Sequence, residues 1–335
     1  MKKFNNLKFI DLFAGIGGFR LAMEHYGCRC VFSSEIDEQA CITYETNYGE
    51  KPSGDITKIE SQEIPEHDIL CGGFPCQAFS ISGKQKGFED TRGTLFFEIA
   101  RITQYHKPLL LFLENVKNLV RHDNGKTFSH MLSILDNLGY TVFYKVLNAG
   151  HYGVPQFRER AYMVCFRKDL GVHNYLFPEP LNSYSYLQDI LLPDNDTQKY
   201  VITRDDIVLS DNLKHSNQAK PIRIGTINKG GQGERIYSPY GHAITLSAHG
   251  GGAAAKTGAY LINGKVRKLT PRECCLAQGF PADFKIPVSD GQAYKQFGNS
   301  VAIPVLKSII KNVVELHQFE DMVINTSPAS LNTND

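Results

Sequence analysis

The sequence predicts an α/β protein that combines a doubly wound, mostly parallel sheet with a second, smaller strand-and-loop domain. Up to about residue 188, short apolar runs alternate with segments of helical period, which is typical of parallel sheets covered by helices. Residues 189–270 lack clear helical periodicity and are rich in Gly. Helical patterns return at 271–320 and are expected to complete the first domain, whereas 321–335 is predicted to be a flexible tail.

A strand, a glycine turn and a helix at the N-terminus predict a ligand site. The apolar run Leu7 to Phe13 precedes Ala14-Gly15-Ile16-Gly17-Gly18, and Phe19 to Tyr26 has a helical pattern. Such glycines either permit a tight turn or let a ligand approach the backbone near helix N-terminal amides. The next strand ends at Glu35, where a carboxylate suits two ribose hydroxyls. Because the loop has no basic residue for a pyrophosphate, a nucleoside-bearing zwitterion is favoured.

A further acid, Asp55, follows Gly54 and precedes Ile56-Thr57. Its carboxylate is placed to accept a hydrogen bond from an exocyclic amine of a ligand. An ordinary turn or helix N-cap explains it equally well.

Cys76 is the candidate nucleophile. It follows the apolar run Ile69-Leu70-Cys71 and the turn residues Gly72-Gly73-Phe74-Pro75, so it is expected at the carboxyl end of a strand. A lone Cys is more often a small core residue. Here, however, Glu114 ends a second apolar run, and Arg158 and Arg160 precede a third strand, so thiol, carboxylate and guanidinium groups are expected to converge.

Bulk composition narrows the class of protein. The chain has 335 residues, 42% hydrophobic and 21% charged, which is ordinary for a soluble globular protein. Its net charge of +1 means that any nucleic-acid surface must be local, such as the acid-free basic stretch from Lys256 to Arg272. Eight cysteines without a CxxC pair favour neither a metal site nor disulfides, and fit a reducing cytoplasm. We expect no secretion signal and no membrane span.

Two segments are predicted to close over and contact a large ligand. Ser80 to Gly87 is polar, basic and glycine-bearing, and is expected to be a mobile lid. Gln232, Arg235 and Thr245 lie among glycines in the second domain, where planar hydrogen-bonding groups can read base edges. A plain Gly-rich connector is the alternative, but the concentration of these side chains argues against it.

The ordered motifs resemble those of the bacterial DNA (cytosine-5)-methyltransferases of type II restriction-modification systems. The resemblance covers nearly the whole chain except its C-terminal end, and five motifs carry it: Asp11-Leu12-Phe13-Ala14-Gly15-Ile16-Gly17-Gly18, Gly73-Phe74-Pro75-Cys76-Gln77, Glu114-Asn115-Val116, Gln156-Phe157-Arg158-Glu159-Arg160 and Gln296-Phe297-Gly298-Asn299-Ser300-Val301. It implies a methyltransferase fold and a covalent Cys76 adduct at carbon 6 of cytosine. It also implies that Glu114 stabilises the adduct, Arg160 orients Glu114 and Arg158 contacts the substrate.

The resemblance also implies S-adenosylmethionine as methyl donor, with S-adenosylhomocysteine as product and no metal. The residues that it assigns to the cofactor are Phe13, Gly15, Gly17, Gly18, Glu35, Ile36, Asp55, Ile56, Pro75, Asn299 and Ser300. One departure concerns Ile36, which stands where a closely similar member of the family has an aromatic residue, and the chain has no Trp. We expect weaker cofactor affinity as a result.

Duplex DNA is the implied partner, with the target cytosine flipped out of the helix. Ser82 and Gln232 would fill the vacated space, and the implied DNA contacts are Ser80, Ile81, Ser82, Lys84, Gln232, Arg235, Thr245, Gly251 and Gly252. The recognition region is similar to that of the same family member, which predicts the inner cytosine of GCGC as the target. His249 stands where that family member has an aromatic residue. The chain is expected to be a monomer in the bacterial cytoplasm, paired functionally with a restriction endonuclease.

Two rival interpretations differ in one feature each. An RNA methyltransferase of the same fold would typically lack the long region at 189–270. A non-catalytic DNA-binding relative would be expected to have lost Cys76 or Glu114, and both are present.

Overall fold

The computed structural model describes residues 2–74, 95–210 and 217–325, and their strands form three sheets. The strands are β1 (Lys2–Phe4), β2 (Lys8–Leu12), β3 (Arg29–Ser34), β4 (Ile69–Gly73), β5 (Leu110–Val116), β6 (Tyr140–Asn148), β7 (Glu159–Arg167), β8 (Ile207–Leu209), β9 (Arg223–Ile227), β10 (Arg235–Tyr237), β11 (Ala259–Ile262), β12 (Lys265–Lys268) and β13 (Val323–Asn325). The helices of the same ranges are α1 (Gly18–His25), α2 (Glu38–Tyr48), α3 (Leu95–His106), α4 (Lys126–Asn137), α5 (Pro271–Ala277), α6 (Asp290–Asn299) and α7 (Ile303–Val314).

The large sheet has the strand order β3-β2-β4-β5-β7-β6. β2, β3, β4 and β5 are parallel, which confirms the predicted α/β class with a mostly parallel sheet. β7, however, runs antiparallel to both neighbours, β5 and β6. A parallel crossover usually needs a dozen or more residues that include a helix. Only residues 149–158 join β6 to β7, with one short 3-10 turn, so the chain returns antiparallel.

Apolar cores cover both faces of this sheet, which explains its nearly continuous hydrophobic strands. One core includes residues of α1 and α7, and the other includes residues of α3 and α4. β5 continues to Val116, past the predicted end of the strand at Leu113. Glu114 therefore lies inside the strand and is buried, rather than on a following loop.

Two helices have no counterpart in the sequence prediction. α2 buries Ala40, Cys41, Thr43 and Tyr44, a small and partly polar face that leaves no apolar stripe in the sequence. α6 carries part of the Gln296–Val301 motif. The apolar residues between Ser300 and His317 recur at helical spacing and predict one long helix there. The helix observed is shorter, because α7 begins at Ile303 with Pro304 in its first turn and ends at Val314.

The second sheet, of order β12-β11-β10-β9-β8, occupies residues 207–268 within the range predicted for the smaller domain. Its strands have three to five residues, and β10 and β11 pair in parallel whereas the other pairs are antiparallel. It has its own small apolar core.

A two-stranded sheet joins the ends of the described chain. β13 pairs antiparallel with β1, and Phe4 faces Val323 in the register. The predicted flexible tail from residue 321 therefore begins with a paired strand, since the free edge of β1 offers backbone donors and acceptors. Within the described ranges, no helix is long and apolar enough to cross a membrane.

Candidate active site

A cavity of about 580 Å³ opens where the parallel strands β2, β3, β4 and β5 end. Open α/β sheets bind their ligands in this position. Most of the described site residues that the sequence predicted for cofactor and catalysis line it: Phe13, Gly15, Glu35, Ile36, Asp55, Ile56, Glu114, Arg158, Arg160, Asn299 and Ser300.

The three glycines of the N-terminal loop have different roles. Gly15 has a positive φ of 55° and no heavy atom within 4 Å of the position that a Cβ would take, so it leaves room at the cavity wall. A Cβ on Gly17 would lie 2.3 Å from the Tyr48 ring, and one on Gly18 would lie 2.5 Å from Val301. Gly17 and Gly18, predicted to contact the cofactor, instead allow close packing behind the loop, and neither lines the cavity.

Tyr48, at the end of α2, fixes this loop and was not predicted as a site residue. Its hydroxyl donates to the carbonyl of Gly17 at 2.8 Å. The only signal in the sequence was the requirement for glycine at position 17, which does not reveal its partner.

Glu35 is held rigidly at the rim of the cavity. Its Oε2 accepts from the Gly15 amide and its Oε1 accepts from the Asp37 amide, both at 2.8 Å. A carboxylate has about four acceptor positions, so each oxygen retains one for a ligand hydroxyl.

Asp55 and Ile36 lie at the same rim. Asp55 caps a short 3-10 turn through the backbone amide of Thr57, and hydrogen bonds from Thr57 lower its pKa. The turn-cap interpretation of Asp55 is therefore realised, although Asp55 also lines the cavity. Ile36 is 71% exposed, which leaves an apolar surface open to the cavity.

Glu114 and Arg160 form an ion pair at the inner end of the cavity. Arg160 Nε lies 3.3 Å from Glu114 Oε1, but among the described residues none gives Oε1 a hydrogen bond of good geometry. Burial raises the pKa of Glu114, and the charges of Arg160 and Arg158 only partly oppose this effect. A carboxyl whose pKa is raised holds its proton to a higher pH than a free carboxyl does, and it can donate that proton to a basic ring nitrogen.

Arg158 differs from its predicted role as a substrate contact. Its guanidinium is almost fully buried and donates to three backbone carbonyls, those of Leu246, Gly298 and Ser300, at 3.1, 3.1 and 2.5 Å. Burial, and then the charge of Arg160, lowers its pKa, but a guanidinium stays protonated in proteins. Most of its donors are thus committed to the protein's own backbone.

Polar contacts between α2 and α6 close one side of the cavity. Lys295 pairs with Asp37, and Gln296 accepts from Thr43 at 3.0 Å and donates to the carbonyl of Gln39 at 2.8 Å. These residues were not predicted for the site individually, because neither helix was predicted. Gln296 is part of one recognised motif.

Asn115 was also missed as a structural partner of the site. Its side-chain amide donates to the carbonyl of Phe74 at 2.8 Å, which joins the end of β5 to the residue after β4. Pro75, Cys76, Ser80, Ile81, Ser82 and Lys84, predicted for catalysis, cofactor and DNA, lie outside the described residues.

The predicted recognition residues of the second sheet divide into two kinds. Gln232 is exposed on a short turn. This turn packs closely against the glycine loop at 250–252, where a Cβ on Gly233 would lie only 1.9 Å from the carbonyl oxygen of Gly251. Arg235 begins β10, and its Nε has no hydrogen-bond partner within the part of the chain that the structure describes. Thr245 instead donates its hydroxyl to the Phe157 carbonyl at 2.6 Å, so its donor is used inside the protein.

A metal site would need several ligating side chains close together in the part of the chain that the structure describes. That part contains no group of three or more His, Cys, Asp or Glu side chains that is able to hold a metal ion.

The fold and the cavity define a class of protein, and comparison with known families gives the same class. Residues 7–315 match the C-5 cytosine-specific DNA methylase family, so the chain belongs to that family. It is a DNA (cytosine-5-)-methyltransferase of the type II kind, in a family of S-adenosylmethionine-dependent enzymes that act on DNA.

Individual relatives support this assignment. The chain is 56% identical over 312 residues to the type II methyltransferase M.HhaI of Haemophilus parahaemolyticus, covering 93% of this chain and 95% of that protein. It is 46% identical over 325 residues to M.HpaII of Haemophilus parainfluenzae, covering 92% and 89%. Among solved structures, Spodoptera frugiperda DNMT2 aligns with a TM-score of 0.72 at 19% identity, covering 92% and 100%, which shows a shared fold.

Proposed function

We propose that this enzyme methylates carbon 5 of a cytosine flipped out of duplex DNA, by way of a covalent Cys76 adduct. One observation carries the proposal. A single cavity connects a rigid ribose-type acceptor, Glu35, to a buried ion pair between Glu114 and Arg160. The first suits a nucleoside cofactor, and the second suits a base that becomes charged during the reaction.

The outer part of the cavity fits S-adenosylmethionine. Glu35 offers acceptors for two ribose hydroxyls, and Ile36 and Ile56 offer apolar contacts for the adenine. Phe13 and Gly15, which both line the cavity, have positive φ angles. When bound, the cofactor supplies an electrophilic methyl group on its sulfonium.

The proposed chemistry begins with the substrate base. Carbon 5 of cytosine is a poor nucleophile, so the Cys76 thiolate adds to carbon 6 and its electron pair moves through the ring. Glu114 donates its proton to ring nitrogen 3, which gives a neutral enamine whose carbon 5 accepts the methyl group. Loss of the carbon 5 proton to water then expels the thiolate, and ring nitrogen 3 returns its proton to Glu114, which restores the aromatic base and the free enzyme.

Arg160 is the residue that we expect to orient Glu114. Its Nε already lies beside Oε1 of Glu114, and its guanidinium also donates to the Glu159 carbonyl at 2.8 Å. Two fixed points on a planar side chain restrict the direction in which Glu114 presents its proton.

The second sheet and its loops are proposed to select the DNA sequence. Because a stacked base hides carbon 6, the target cytosine must leave the helix. We expect the inner cytosine of GCGC, and the 56% identity to M.HhaI supports this. The exposed turn at Gln232 and the glycine loop beside it would contact the DNA, together with Arg235. We also propose that the enzyme acts as a monomer in the bacterial cytoplasm and protects DNA from a partner endonuclease.

The test uses the full chain, tritiated S-adenosylmethionine and duplexes that differ only at a central GCGC. We expect label only on the GCGC duplex, and none with Cys76→Ser. Cys30→Ser is the matched control, because that half-buried thiol lies away from the cavity lining. Label on a different duplex would overturn the sequence preference alone. Methylation by Cys76→Ser would overturn the covalent mechanism, and label on RNA but not DNA would overturn the proposed substrate.

A further inference from the structure

Three segments from distant parts of the chain meet at Arg158. The first is 155–158, which leads into β7, and the second is 243–248, beyond β10. The third is 298–301, which runs from the end of α6 into its connection with α7. The first carries the arginine motif. The second belongs to the proposed recognition region, and the third lines the cavity proposed for the cofactor.

The first two segments are joined along their backbones. Phe157 N donates to the Ala243 carbonyl at 2.8 Å, and Ala243 N donates to the Pro155 carbonyl at 2.7 Å. The side chain of Gln156 extends this pairing, since its Oε1 accepts from Leu246 N at 3.1 Å. The recognition region is thus attached to the segment that leads into β7 of the large sheet by a short parallel bridge between Gln156 and Ala243, in addition to its two chain connections.

The third segment packs directly on the second. A Cβ on Gly298 would lie 2.4 Å from the Ala248 nitrogen and from the Ser247 carbonyl carbon. Only glycine permits this approach, because backbone atoms cannot move aside as the end of a flexible side chain can.

Among the side chains of the first segment, 155–158, Arg158 is the one that donates hydrogen bonds to both the second and the third segment. It donates to Leu246, 88 residues along the chain, and to Gly298 and Ser300, 140 and 142 residues along it. A planar guanidinium has five donors in a fixed arrangement, so it holds the carbonyls at set relative positions. A shift of the recognition segment at Leu246 is therefore expected to displace the carbonyls of Gly298 and Ser300, on either side of Asn299.

We propose that Arg158 is a positioning residue that couples DNA binding at the recognition region to cofactor binding in the cavity. This inference rests on the proposed function of both regions. It predicts that DNA tightens cofactor binding through this junction, by a factor in the range typical of coupled sites, about 5- to 150-fold. By linkage, the cofactor tightens DNA binding by the same factor.

The experiment measures S-adenosylhomocysteine binding to the full chain by calorimetry, without DNA and with a saturating duplex that the wild-type enzyme methylates. Arg158→Lys keeps the charge but loses the fixed arrangement of donors, and its coupling factor is expected to fall to about 3-fold or less, below the typical range. Gly298→Ala should weaken coupling in the same way, since it separates the second and third segments without removing a donor of Arg158.

Arg167→Lys is the matched control, because it makes the same change at the far end of β7, where Arg167 pairs with Asp169 on the surface. Thermal unfolding of each variant shows whether it is folded, and only variants that are folded at the temperature of the calorimetry are compared, because DNA binding would itself stabilise a partly unfolded variant. Full coupling in folded Arg158→Lys would overturn the inference, as would a wild-type coupling factor of one. If the wild-type chain binds neither ligand, the proposed function itself fails.

Discussion

The large sheet and the second sheet, which we call the recognition sheet after its proposed role, differ in strand length and in the size of the apolar core that supports them. The large sheet has apolar cores on both faces and strands of up to nine residues. The recognition sheet has strands of three to five residues, and its own core consists of Ile222, Ile224, Ile227, Ile236, Ala254, Ala259 and Val266. A core of this size contributes little free energy by itself.

The difference shows where each region obtains its geometry. The inner part of the cavity is fixed by the large sheet, since Glu114 lies within β5, and Phe13, Glu35 and Phe74 directly follow β2, β3 and β4. The recognition region depends on its attachment to the larger region. A buried ion pair strengthens that attachment, because Arg267 of β12 donates to Glu273 of α5 at 2.7 and 2.8 Å. Glu273 also accepts from the amides of Leu192 and Thr270, where the chain enters and leaves the recognition region.

The largest expected effect concerns the chemical step in the large sheet. Glu114→Gln removes the proton donor while it keeps the shape, so we expect kcat to fall by about 10²- to 10⁴-fold. Cofactor binding should change little, because the change lies at the inner end of the cavity. Steady-state methylation with tritiated cofactor measures this. Glu159→Gln, at the surface beside Lys117, is the control. A variant with near wild-type kcat would show that Glu114 is not the donor.

The next effect concerns the boundary between the regions. Glu273→Gln leaves the charge of Arg267 buried without its partner, and the free energy of unfolding is expected to fall by about 3–5 kcal/mol. Urea unfolding followed by circular dichroism measures it. Glu315→Gln removes an exposed pair with Lys311 and should change stability by about 0.5 kcal/mol or less. If the two variants lose equal stability, the boundary pair does not secure the recognition region.

A smaller effect concerns a buried acid beneath the glycine loop. Asp11 is fully buried, and burial raises its pKa well above the usual value, although the charge of Arg20 and a hydrogen bond from its backbone amide oppose this effect. The folded protein therefore binds this proton more tightly than the unfolded chain, so stability is lost as pH rises from the ordinary Asp range towards the folded pKa.

Asp11→Asn removes that dependence. The stability of the variant relative to wild type should rise with pH, by at most about 1.4 kcal/mol per unit. Urea unfolding across a pH series measures it. Asp169→Asn should show the opposite sign, since its hydrogen bonds from Arg167 lower the pKa of Asp169. A difference between wild type and Asp11→Asn that does not vary with pH would contradict the prediction.

The smallest effect concerns the cavity rim, which the core does not fix. Ile36→Trp should add a stacking surface for adenine, worth about 0.5–1.5 kcal/mol, or about 2- to 10-fold in cofactor affinity. Calorimetry with S-adenosylhomocysteine measures it. Ile42→Trp, exposed on α2 and away from the cavity lining, should leave affinity unchanged. Unchanged affinity in Ile36→Trp would show that the rim does not contact the base.

Local sequence patterns determined the class of the fold and most of the cavity. The apolar runs at 69–71 and 109–113 predicted strands because buried parallel strands are hydrophobic on both faces. The polar residues that follow or end such runs, such as Glu35 and Glu114, share one edge of the sheet for the same topological reason. Each of these patterns spans only a few consecutive residues, so it can be recognised in a single sequence.

Tertiary structure decided the rest. The partners of Arg158 lie 88 to 142 residues away, and the reason for Gly17 is a ring 31 residues away. α2 was not predicted because its buried face is small and partly polar. β7 runs antiparallel because the segment that connects it to β6 is short. Local periodicity reports which residues seek the interior. Which surfaces meet there depends on the free energy of the whole packed chain, and no single segment contains that information.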